Sequence, residues 1–258
     1  MNIITKSAQQ IDKIRTSWQY LTELLMIVYQ GIEPGMTLKD IEVIVIRYIE
    51  KHNLIAAFKN YNGFPWYLCT SLNDCLVHGI PDRTIIKTWD LLKIDIGINY
   101  RWAISDAAFS IIVGWWEHNP EGQHIIDVSK WALDEGMKFV RTGNFIASFG
   151  ENVSDYVYSH WCSVIKDLTW HGVGTKVHED PHIYNYAHQS WYKVRFKPGM
   201  VIALEPIIAK TSEKYIEDKI NKRNLYTHNG DLGAQREYTV AITDNGTEIL
   251  AWLQNLSF

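Results

Sequence analysis

Two neighbouring segments have the composition of β-strands, and each carries one aspartate. They are LLKIDIGINY, with Asp95, and WAISDAAFSIIVG, with Asp106. Apolar and β-branched runs with so short a gap predict a β-hairpin. A turn centred between Tyr100 and Arg101 would place the two carboxylates directly opposite each other, where like charges repel. The hairpin therefore predicts a cation between them, and two metal ions about 3.5–4 Å apart would suit the gap.

On their own, the two aspartates are equally compatible with strand residues that point to solvent. Three distant positions change this interpretation. His171 lies in WHGVGTKVHEDP, where two glycines argue against a helix. Glu205 lies within FKPGMVIALEPIIA and Glu237 within AQREYTVAITDNGTEIL, and both runs predict strands that continue through the glutamate. Because acids are rarely buried without a partner, the five residues together indicate a metal site.

Length and charge narrow the class of protein. A chain of 258 residues can form one large domain or two small ones. The net charge of -4 provides no basic surface for nucleic acid.

No apolar stretch is long enough to span a membrane and the first residues lack a signal-peptide core, so we expect a cytoplasmic protein. Cys69, Cys75 and Cys162 cannot all pair and include no C-x-x-C motif, which predicts reduced thiols.

Apolar spacing predicts helices over residues 7–30 and 37–52, with Thr37 and Asp40 as a capping signal for the second. After the hairpin, residues 121–140 and 143–161 predict two more helices. The second half thus repeats the plan of the first: two helices with a glycine break, then strands with acids. No flexible linker separates the halves and both contain candidate ligands, so we expect a single domain over residues 1–258.

In combination, these motifs resemble type I methionine aminopeptidases. The match covers nearly the whole chain in order and spacing, through HGIP from His78, IDIG around Asp95, Asp106, HGVGTKVHEDP from His171, LEPII around Glu205 and QREYT around Glu237. The resemblance implies an α+β pita-bread fold, two pseudo-symmetric halves with a curved antiparallel sheet backed by helices. It also implies an enzyme that hydrolyses the N-terminal methionine from nascent proteins and peptides.

The resemblance further implies two divalent metal ions, for which Co, Mn, Fe and Zn are the candidates. Asp95 and Glu237 would bridge them, Asp106 would bind one ion, and His171 and Glu205 would bind the other. Oxygen-rich ligation with one imidazole and no thiolate agrees with a hydrolytic rather than a structural site. The nucleophile implied is a water that bridges the metals.

Three positions are implied to be catalytic. Glu205 would carry a proton from the nucleophilic water to the leaving amine, in addition to binding metal. His78 and His178 would contact the scissile peptide and stabilise its developing oxyanion. Taken without its motif, either histidine would more often be a structural residue.

The resemblance implies that the pocket for the methionine side chain is formed by Tyr61, Phe64 and Cys69, together with His78. His178 is implied as a further substrate-binding residue. Aromatic walls suit an unbranched thioether, although the same residues would also suit a core beneath a loop. The remaining histidines have no such motif context and are expected at the surface: His52, His118, His124, His160, His182, His188 and His228.

The chain departs from the family pattern near the site. Trp170 replaces a glycine, and its bulk would narrow the site or displace backbone. Ala107 and Ala108 replace hydroxyl residues after the second aspartate, Asn62 replaces a pocket histidine, and Tyr238 replaces the histidine after the last glutamate. Because every direct ligand is retained, we expect catalysis to persist with reduced activity or an altered metal preference.

Two other functions remain open at this point. One is a Xaa-Pro aminopeptidase of the same fold, whose members usually carry an additional N-terminal domain. The other is a non-catalytic pita-bread binding protein, which would usually have lost ligands. The partners expected are nascent polypeptide N-termini and the ribosome, with no nucleic-acid specificity and no membrane, and the chain is expected to be a monomer.

Overall fold

A computed structural model describes residues 2–250. Within that range the α-helices are α1 Ala8–Gly31, α2 Leu38–Lys51, α3 Pro120–Met137 and α4 Ala147–Ser159. Short 3₁₀ helices span Tyr61–Gly63, Trp116–His118 and Gln189–Lys193. The strands are β1 Ile55–Ala56, β2 Cys69–Leu72, β3 Cys75–Val77, β4 Leu91–Tyr100, β5 Ala103–Ile112, β6 Ser163–Val164, β7 Thr169–Gly172, β8 Glu179–Tyr184, β9 Val201–Leu204, β10 Ile207–Ala209, β11 Tyr215–Glu217, β12 Leu225–Thr227, β13 Gly233–Gln235, β14 Tyr238–Thr243 and β15 Gly246–Ile249.

The four helices lie close to where apolar spacing predicts them, and the capping signal of α2 is present. The Thr37 hydroxyl accepts a hydrogen bond from the Asp40 amide, and the Asp40 carboxylate accepts one from the Thr37 amide at 2.8 Å. These reciprocal bonds satisfy two of the amides that a helix N-terminus leaves free. The helix therefore begins at Leu38.

Each half of the chain packs two helices against an antiparallel sheet. In the first half, β4 pairs with β1, β2 and β5, and the apolar faces of α1 and α2 share a core cluster with β4 and β5. In the second half, the sheet order is β15, β14, β9, β7, β8, and α3 and α4 share a core cluster with β7, β9 and β14. The plan repeats as the sequence pattern predicts.

The predicted hairpin exists as β4 and β5, but its register differs from the prediction. Asp95 pairs with Ala108, and Asp106 pairs with Gly97. The expectation that the two aspartates face each other directly is wrong. They are diagonal neighbours, and because side chains alternate along a strand, a shift of two positions keeps both carboxylates on one face.

The cause of the shift is the turn. Its two residues are Arg101 and Trp102, with φ angles of 50° and 72°. Both angles are positive, as in the two-residue turns that match the twist of a hairpin. Such turns favour Asn and Gly, so neither residue marked this position in the sequence.

Glu205 and Glu237 lie at breaks between strands, which corrects the prediction of continuous strands through them. Strands β9 and β10 are separated by Glu205 and Pro206, while β13 and β14 are separated by Arg236 and Glu237. Strand β9 pairs with β14, whereas β10 pairs with β13 in a different sheet. Proline has no amide hydrogen to donate to a sheet ladder, so the pairing is interrupted there.

No helix within residues 2–250 is long and apolar enough to cross a membrane. The three cysteines are unpaired and buried, in agreement with the prediction of reduced thiols.

Candidate metal centre

A cavity of about 370 Å³ is lined by residues from both halves of the chain. Every residue that the sequence analysis assigns to the site contributes to its wall: Tyr61, Phe64, Cys69, His78, Asp95, Asp106, His171, His178, Glu205 and Glu237. Positions separated by up to 176 residues in sequence therefore converge on one space.

Three buried carboxylates in this cavity have an oxygen with no hydrogen-bond partner. These atoms are Asp95 Oδ1, Asp106 Oδ1 and Glu237 Oε1. Burial raises the pKa of Asp95 to about 7. Burial, followed by the nearby acidic groups, raises the pKa values of Asp106 and Glu237 well above their usual range. Unpaired buried carboxylates that repel each other are a donor set that fits a cation.

His171 presents one ring nitrogen to these acids. Its Nδ1 lies 3.0 Å from the Gly172 carbonyl, and a proton donated there leaves the Nε2 lone pair free for a metal. Burial lowers the pKa of His171 well below its ordinary value, so the ring is neutral. One ligand atom each from Asp106, His171 and Glu237 lie within 4.8 Å of one another, a spacing that one ion could bridge.

Glu205 lies beside His171 and is held by hydrogen bonds to its carboxylate and to its backbone carbonyl. Its Oε1 is 3.6 Å from His171 Nε2, while its Oε2 accepts a hydrogen bond from Gln235 Nε2 at 3.1 Å. The Glu205 carbonyl accepts one from Asn185 Nδ2 at 2.9 Å. The sequence analysis did not assign Gln235 or Asn185. For Gln235 a signal existed, since it opens the QREYT motif and precedes Glu237 by two residues.

Thr239 connects the hairpin to the second sheet. Its hydroxyl donates to the Asp106 carbonyl at 2.6 Å and accepts from the Asp106 amide at 3.0 Å. The Glu237 amide donates to the Ala108 carbonyl at 3.0 Å. These bonds fix Asp106 and Glu237 relative to each other. Thr239 was also missed by the sequence analysis, although it alternates with Glu237 along the predicted strand.

His78 follows β3 and has a φ of 58°. Its backbone is held in place by the next residue, Gly79, which bonds to β2. The Gly79 carbonyl accepts from the Thr70 amide at 2.7 Å, and the Gly79 amide donates to Ser71 Oγ at 3.1 Å. A Cβ on Gly79 would lie 2.1 Å from the Thr70 carbonyl oxygen. Only glycine allows this close approach to β2, which explains the histidine-glycine pair in the motif.

The His178 ring lies between the rings of His171 and Tyr61. Its centroid is 4.2 Å from that of His171 and 5.1 Å from that of Tyr61. Burial, followed by the charges of nearby histidines, lowers the pKa of His178 to about 4. The ring is therefore neutral near pH 7 and can donate one N–H without adding charge.

The side of the cavity predicted to hold the substrate side chain is partly apolar. Phe64 and Cys69 are buried, and Phe58 and Leu168 also contribute to the wall without having been predicted. Cys69 pairs with Asp95 in the β2–β4 ladder, which directs both side chains to the same face. Burial raises the pKa of the Cys69 thiol well above its ordinary value, so it acts as a small neutral group.

The mouth of the cavity carries charged residues that the sequence analysis did not assign. Glu217, Lys222 and Arg223 line it. Arg223 Nη2 donates to the Asn62 carbonyl at 3.0 Å. This bond connects the loop before β12 to the turn that carries Tyr61.

Trp170 does not narrow the site, contrary to the expectation from sequence. Its side chain is fully buried on the other side of β7 from His171, where it packs edge-on against Phe149 with ring centroids 4.9 Å apart. Its Nε1 donates to the Tyr184 carbonyl at 3.3 Å. Ala107 likewise belongs to the core cluster beneath α1 and α2. Strand alternation directs both away from the neighbouring ligand.

The seven histidines expected at the surface are exposed or half-buried, and none of them lines this cavity. His182 comes nearest by position, since it pairs with His171 in the β7–β8 ladder. Its side chain is exposed.

Comparisons with known proteins identify the family of this chain and its structural relatives. The profile of metallopeptidase family M24 matches residues 12–244. A methionine aminopeptidase of Clostridium acetobutylicum is 32% identical over 249 residues, which are 96% of this chain and 98% of the relative. The crystal structure of methionine aminopeptidase from Rickettsia prowazekii superimposes with a TM-score of 0.92 at 29% identity, over 97% of this chain and 100% of that one. The prolidase of Pyrococcus furiosus shares the fold alone, with a TM-score of 0.75 at 21% identity over 97% of this chain and 66% of that one.

Proposed function

The chain belongs to metallopeptidase family M24, and from that membership we propose that it is a metal-dependent aminopeptidase that hydrolyses the N-terminal methionine from nascent polypeptides. The family match together with the methionine aminopeptidase relatives confirms the family resemblance, and the similar crystal structures confirm the fold. Relatives that match almost the full chain are methionine aminopeptidases. The observation that carries the proposal is the convergence of ligand atoms from Asp106, His171 and Glu237 within 4.8 Å.

We propose that five residues hold the metal: Asp95, Asp106, His171, Glu205 and Glu237. Four carboxylates and a neutral imidazole carry a charge of about -4, which two divalent cations balance. The absence of a thiolate among the five favours Co, Mn, Fe or Zn in a hydrolytic role. When bound, such ions supply Lewis acidity that polarises a carbonyl and makes water a stronger nucleophile.

The protein's own groups would handle the proton and the oxyanion. Glu205 is oriented by Gln235, and its carboxylate would accept a proton from the attacking water and deliver it to the amine as the C–N bond breaks. His178, a neutral ring beside His171, would donate its N–H to the peptide oxygen as negative charge develops. His78 lines the same cavity and would contact the scissile peptide from the β3 side.

The pocket supports a preference for methionine. Tyr61, Phe64 and Cys69 surround the space beside the candidate ligands, and aromatic edges pack well on a thioether. Asp95 and Asp106 are directly adjacent to this wall through the β2–β4–β5 ladder. A charged first residue would lose its hydration against these aromatic walls without gaining a partner from them.

The competing functions are less well supported. The prolidase similarity concerns the fold only, at 21% identity. A non-catalytic binding protein would not require five buried ligand residues, three of which have unpaired carboxylate oxygens. We therefore retain the aminopeptidase as the proposal.

We further infer that residues 1–258 act as one catalytic domain, since both halves line the cavity. We place the reaction in the cytoplasm, where nascent N-termini emerge, with the ribosome as the site of delivery and the enzyme as a monomer. The net charge of -4 gives no reason to expect direct binding to ribosomal RNA.

The test is a peptide panel with metal restored after chelation. Met-Ala-Ser should be cleaved, whereas Leu-Ala-Ser and Ala-Pro-Ser should be poor substrates. Cleavage of Ala-Pro-Ser in preference would identify a Xaa-Pro enzyme, and no cleavage of any peptide would support the binding protein. Calorimetric titration should approach two metal ions per chain, with the second bound more weakly. Saturation at one ion would contradict the dinuclear site.

A further inference from the structure

A buried ion pair lies outside the catalytic cavity. Lys6 Nζ is 2.5 Å from Glu179 Oε2, and the two side chains are 1% and 0% exposed. Burying two charges is costly unless hydrogen bonds satisfy their remaining atoms. The other hydrogen-bond partners of Lys6 and Glu179 therefore identify the segments that this ion pair connects.

Glu179 closes the loop that carries His178. This loop, residues 173–178, connects β7 to β8 and is called the His178 loop below. Glu179 Oε1 accepts hydrogen bonds from the Thr175 amide at 2.7 Å, the Thr175 hydroxyl at 2.6 Å and the Lys176 amide at 3.0 Å. Glu179 Oε2 remains for Lys6. One carboxylate thus connects the His178 loop to the N-terminal segment.

Lys6 is itself held at several points. Its amide donates to the Gly199 carbonyl at 2.7 Å, and its Nζ also donates to the Ile4 carbonyl at 3.2 Å. Its Cε passes so close to Gly174 that a Cβ there would lie 2.9 Å away. The ammonium group therefore occupies a defined position against the backbone of the His178 loop.

Apolar packing reinforces the same contact. Ile11 and Ile14 of α1 belong to one core cluster with Val173 and Val177 of the His178 loop. His178 is the next residue after Val177. Movement of this loop would therefore move the imidazole relative to its ring contacts with His171 and Tyr61.

We propose that Lys6 is a positioning residue for peptide hydrolysis: through Glu179 its ammonium group orders the His178 loop and so orients the His178 imidazole toward the substrate. The inference rests on the proposed function. Lys6 does not line the catalytic cavity, so its loss should affect turnover more than substrate or metal binding.

Lys6→Met removes the ammonium group and keeps most of the apolar stem, while Lys6→Arg keeps the charge. The matched control is Arg15→Met, because the Arg15 guanidinium on α1 bonds to Glu248 at 2.7 Å and to Asp12, both outside the His178 loop. Lys6→Met should lower kcat for Met-Ala-Ser about 10–100-fold. KM and metal affinity should change less than about threefold, and Lys6→Arg should recover most of the loss. Arg15→Met should leave kcat unchanged.

A double-mutant cycle decides whether Lys6 acts through His178. If it does, Lys6→Met added to His178→Ala should cause no further fall in kcat. Losses that multiply would assign Lys6 a general structural role and overturn the inference. The inference also fails if His178→Ala by itself leaves kcat unchanged.

Hydrogen exchange separates this inference from the proposed function, because it needs no turnover. The Thr175 and Lys176 amides should lose protection about tenfold or more in Lys6→Met and not in Arg15→Met. Unchanged protection would overturn the inference even in an active enzyme, while absent peptide cleavage by the wild type would overturn the proposed function. If Lys6→Met does not fold, Lys6→Gln, which removes the positive charge but keeps a polar end group, replaces it with the same expected direction and a smaller size.

Discussion

The two halves of the molecule supply their candidate ligands in different ways. In the first half, Asp95 and Asp106 lie on adjacent strands joined by a two-residue turn. In the second half, His171, Glu205 and Glu237 are separated by more than thirty residues each, and both glutamates lie at breaks between strands. The first arrangement is local, whereas the second depends on the pairing of several elements.

The difference has a physical consequence. A hairpin register sets the distance between its two aspartates without help from the rest of the chain. The ligands of the second half must instead be brought to the hairpin by tertiary hydrogen bonds. Ser110 and Gln235 exchange one such pair, at 2.7 Å and 3.0 Å, and Thr239 provides another through Asp106. The hairpin therefore serves as the fixed side of the site, and these bonds register the other side against it.

The largest effect should come from removing one ligand charge in each half. Asp106→Asn and Glu237→Gln should each lower kcat by roughly 10³-fold, equivalent to about 4 kcal/mol, because the proposed metal site takes ligands from both halves. Circular dichroism should show a folded protein in both cases, since the shape is preserved. Steady-state kinetics on Met-Ala-Ser provides the measurement. Near-normal activity in either variant would show that one half suffices.

Substitutions of His171 and His178 should have different effects on kcat and on metal affinity. His178→Ala should lower kcat about 10²–10³-fold with little change in metal affinity, because the proposed role of the ring is to donate to the developing oxyanion. His171→Ala should chiefly weaken metal binding, since it removes a proposed ligand.

Calorimetric titration alongside kinetics tests this division of roles. Equal losses of metal affinity in the two variants would mean that the segment from His171 to His178 supplies two ligands. His182→Ala is the control, because His182 is exposed beside the same strand and should change neither quantity.

A smaller effect should follow from cutting the connection between the halves. Thr239→Val keeps the shape and removes the hydroxyl that pairs with Asp106, so kcat should fall about 10–100-fold. The free energy of unfolding should fall by about 1–3 kcal/mol, because the Asp106 amide would be left buried and unpaired. Urea titration and kinetics measure both quantities.

Thr239→Ser retains the hydroxyl and provides the control for that variant. It should keep most of the activity. A Thr239→Val enzyme with full activity would show that the hairpin and the second sheet are registered by other contacts.

The smallest effect should come from the turn of the hairpin. Trp102 is 82% exposed with a φ of 72°, so Trp102→Gly should raise the free energy of unfolding by about 1 kcal/mol. Turnover should not change, because glycine also adopts this positive φ angle and the register of β4 and β5 stays the same.

Trp131→Gly is the matched control, since Trp131 is also exposed but lies within α3. There glycine should lower the free energy of unfolding by roughly 0.5–1 kcal/mol. Thermal or urea unfolding measures the change in the free energy of unfolding of both variants. Destabilisation by Trp102→Gly would mean that the indole contributes contacts that outweigh the strained backbone.

Much of the fold and of the site could be predicted from local sequence. The capping residues Thr37 and Asp40 mark the start of α2 because a helix N-terminus needs those acceptors wherever it lies. The strand composition around Asp95 and Asp106 indicates the hairpin for a similarly local reason. The residues that the motifs and the family resemblance assign as ligands and pocket walls all line one cavity, although their individual roles stay predictions.

Other features depended on contacts that sequence patterns do not contain. The hairpin register depended on the backbone at Arg101 and Trp102, which lack the usual turn residues. The break at Glu205 arises because β9 and β10 pair with strands of different sheets. Trp170 avoids the site because β7 faces a core formed by α3 and α4.

The sequence by itself therefore determined which side chains are available for metal chemistry and which segments form helices and strands, because these follow from residue type and spacing over a few neighbours. Only the tertiary structure decided how the halves are registered, through Thr239, Gln235 and the Lys6–Glu179 pair. Such bonds join residues as many as 173 positions apart. A pairing of this kind is selected by the burial and hydrogen bonding of the assembled chain, which no local pattern encodes.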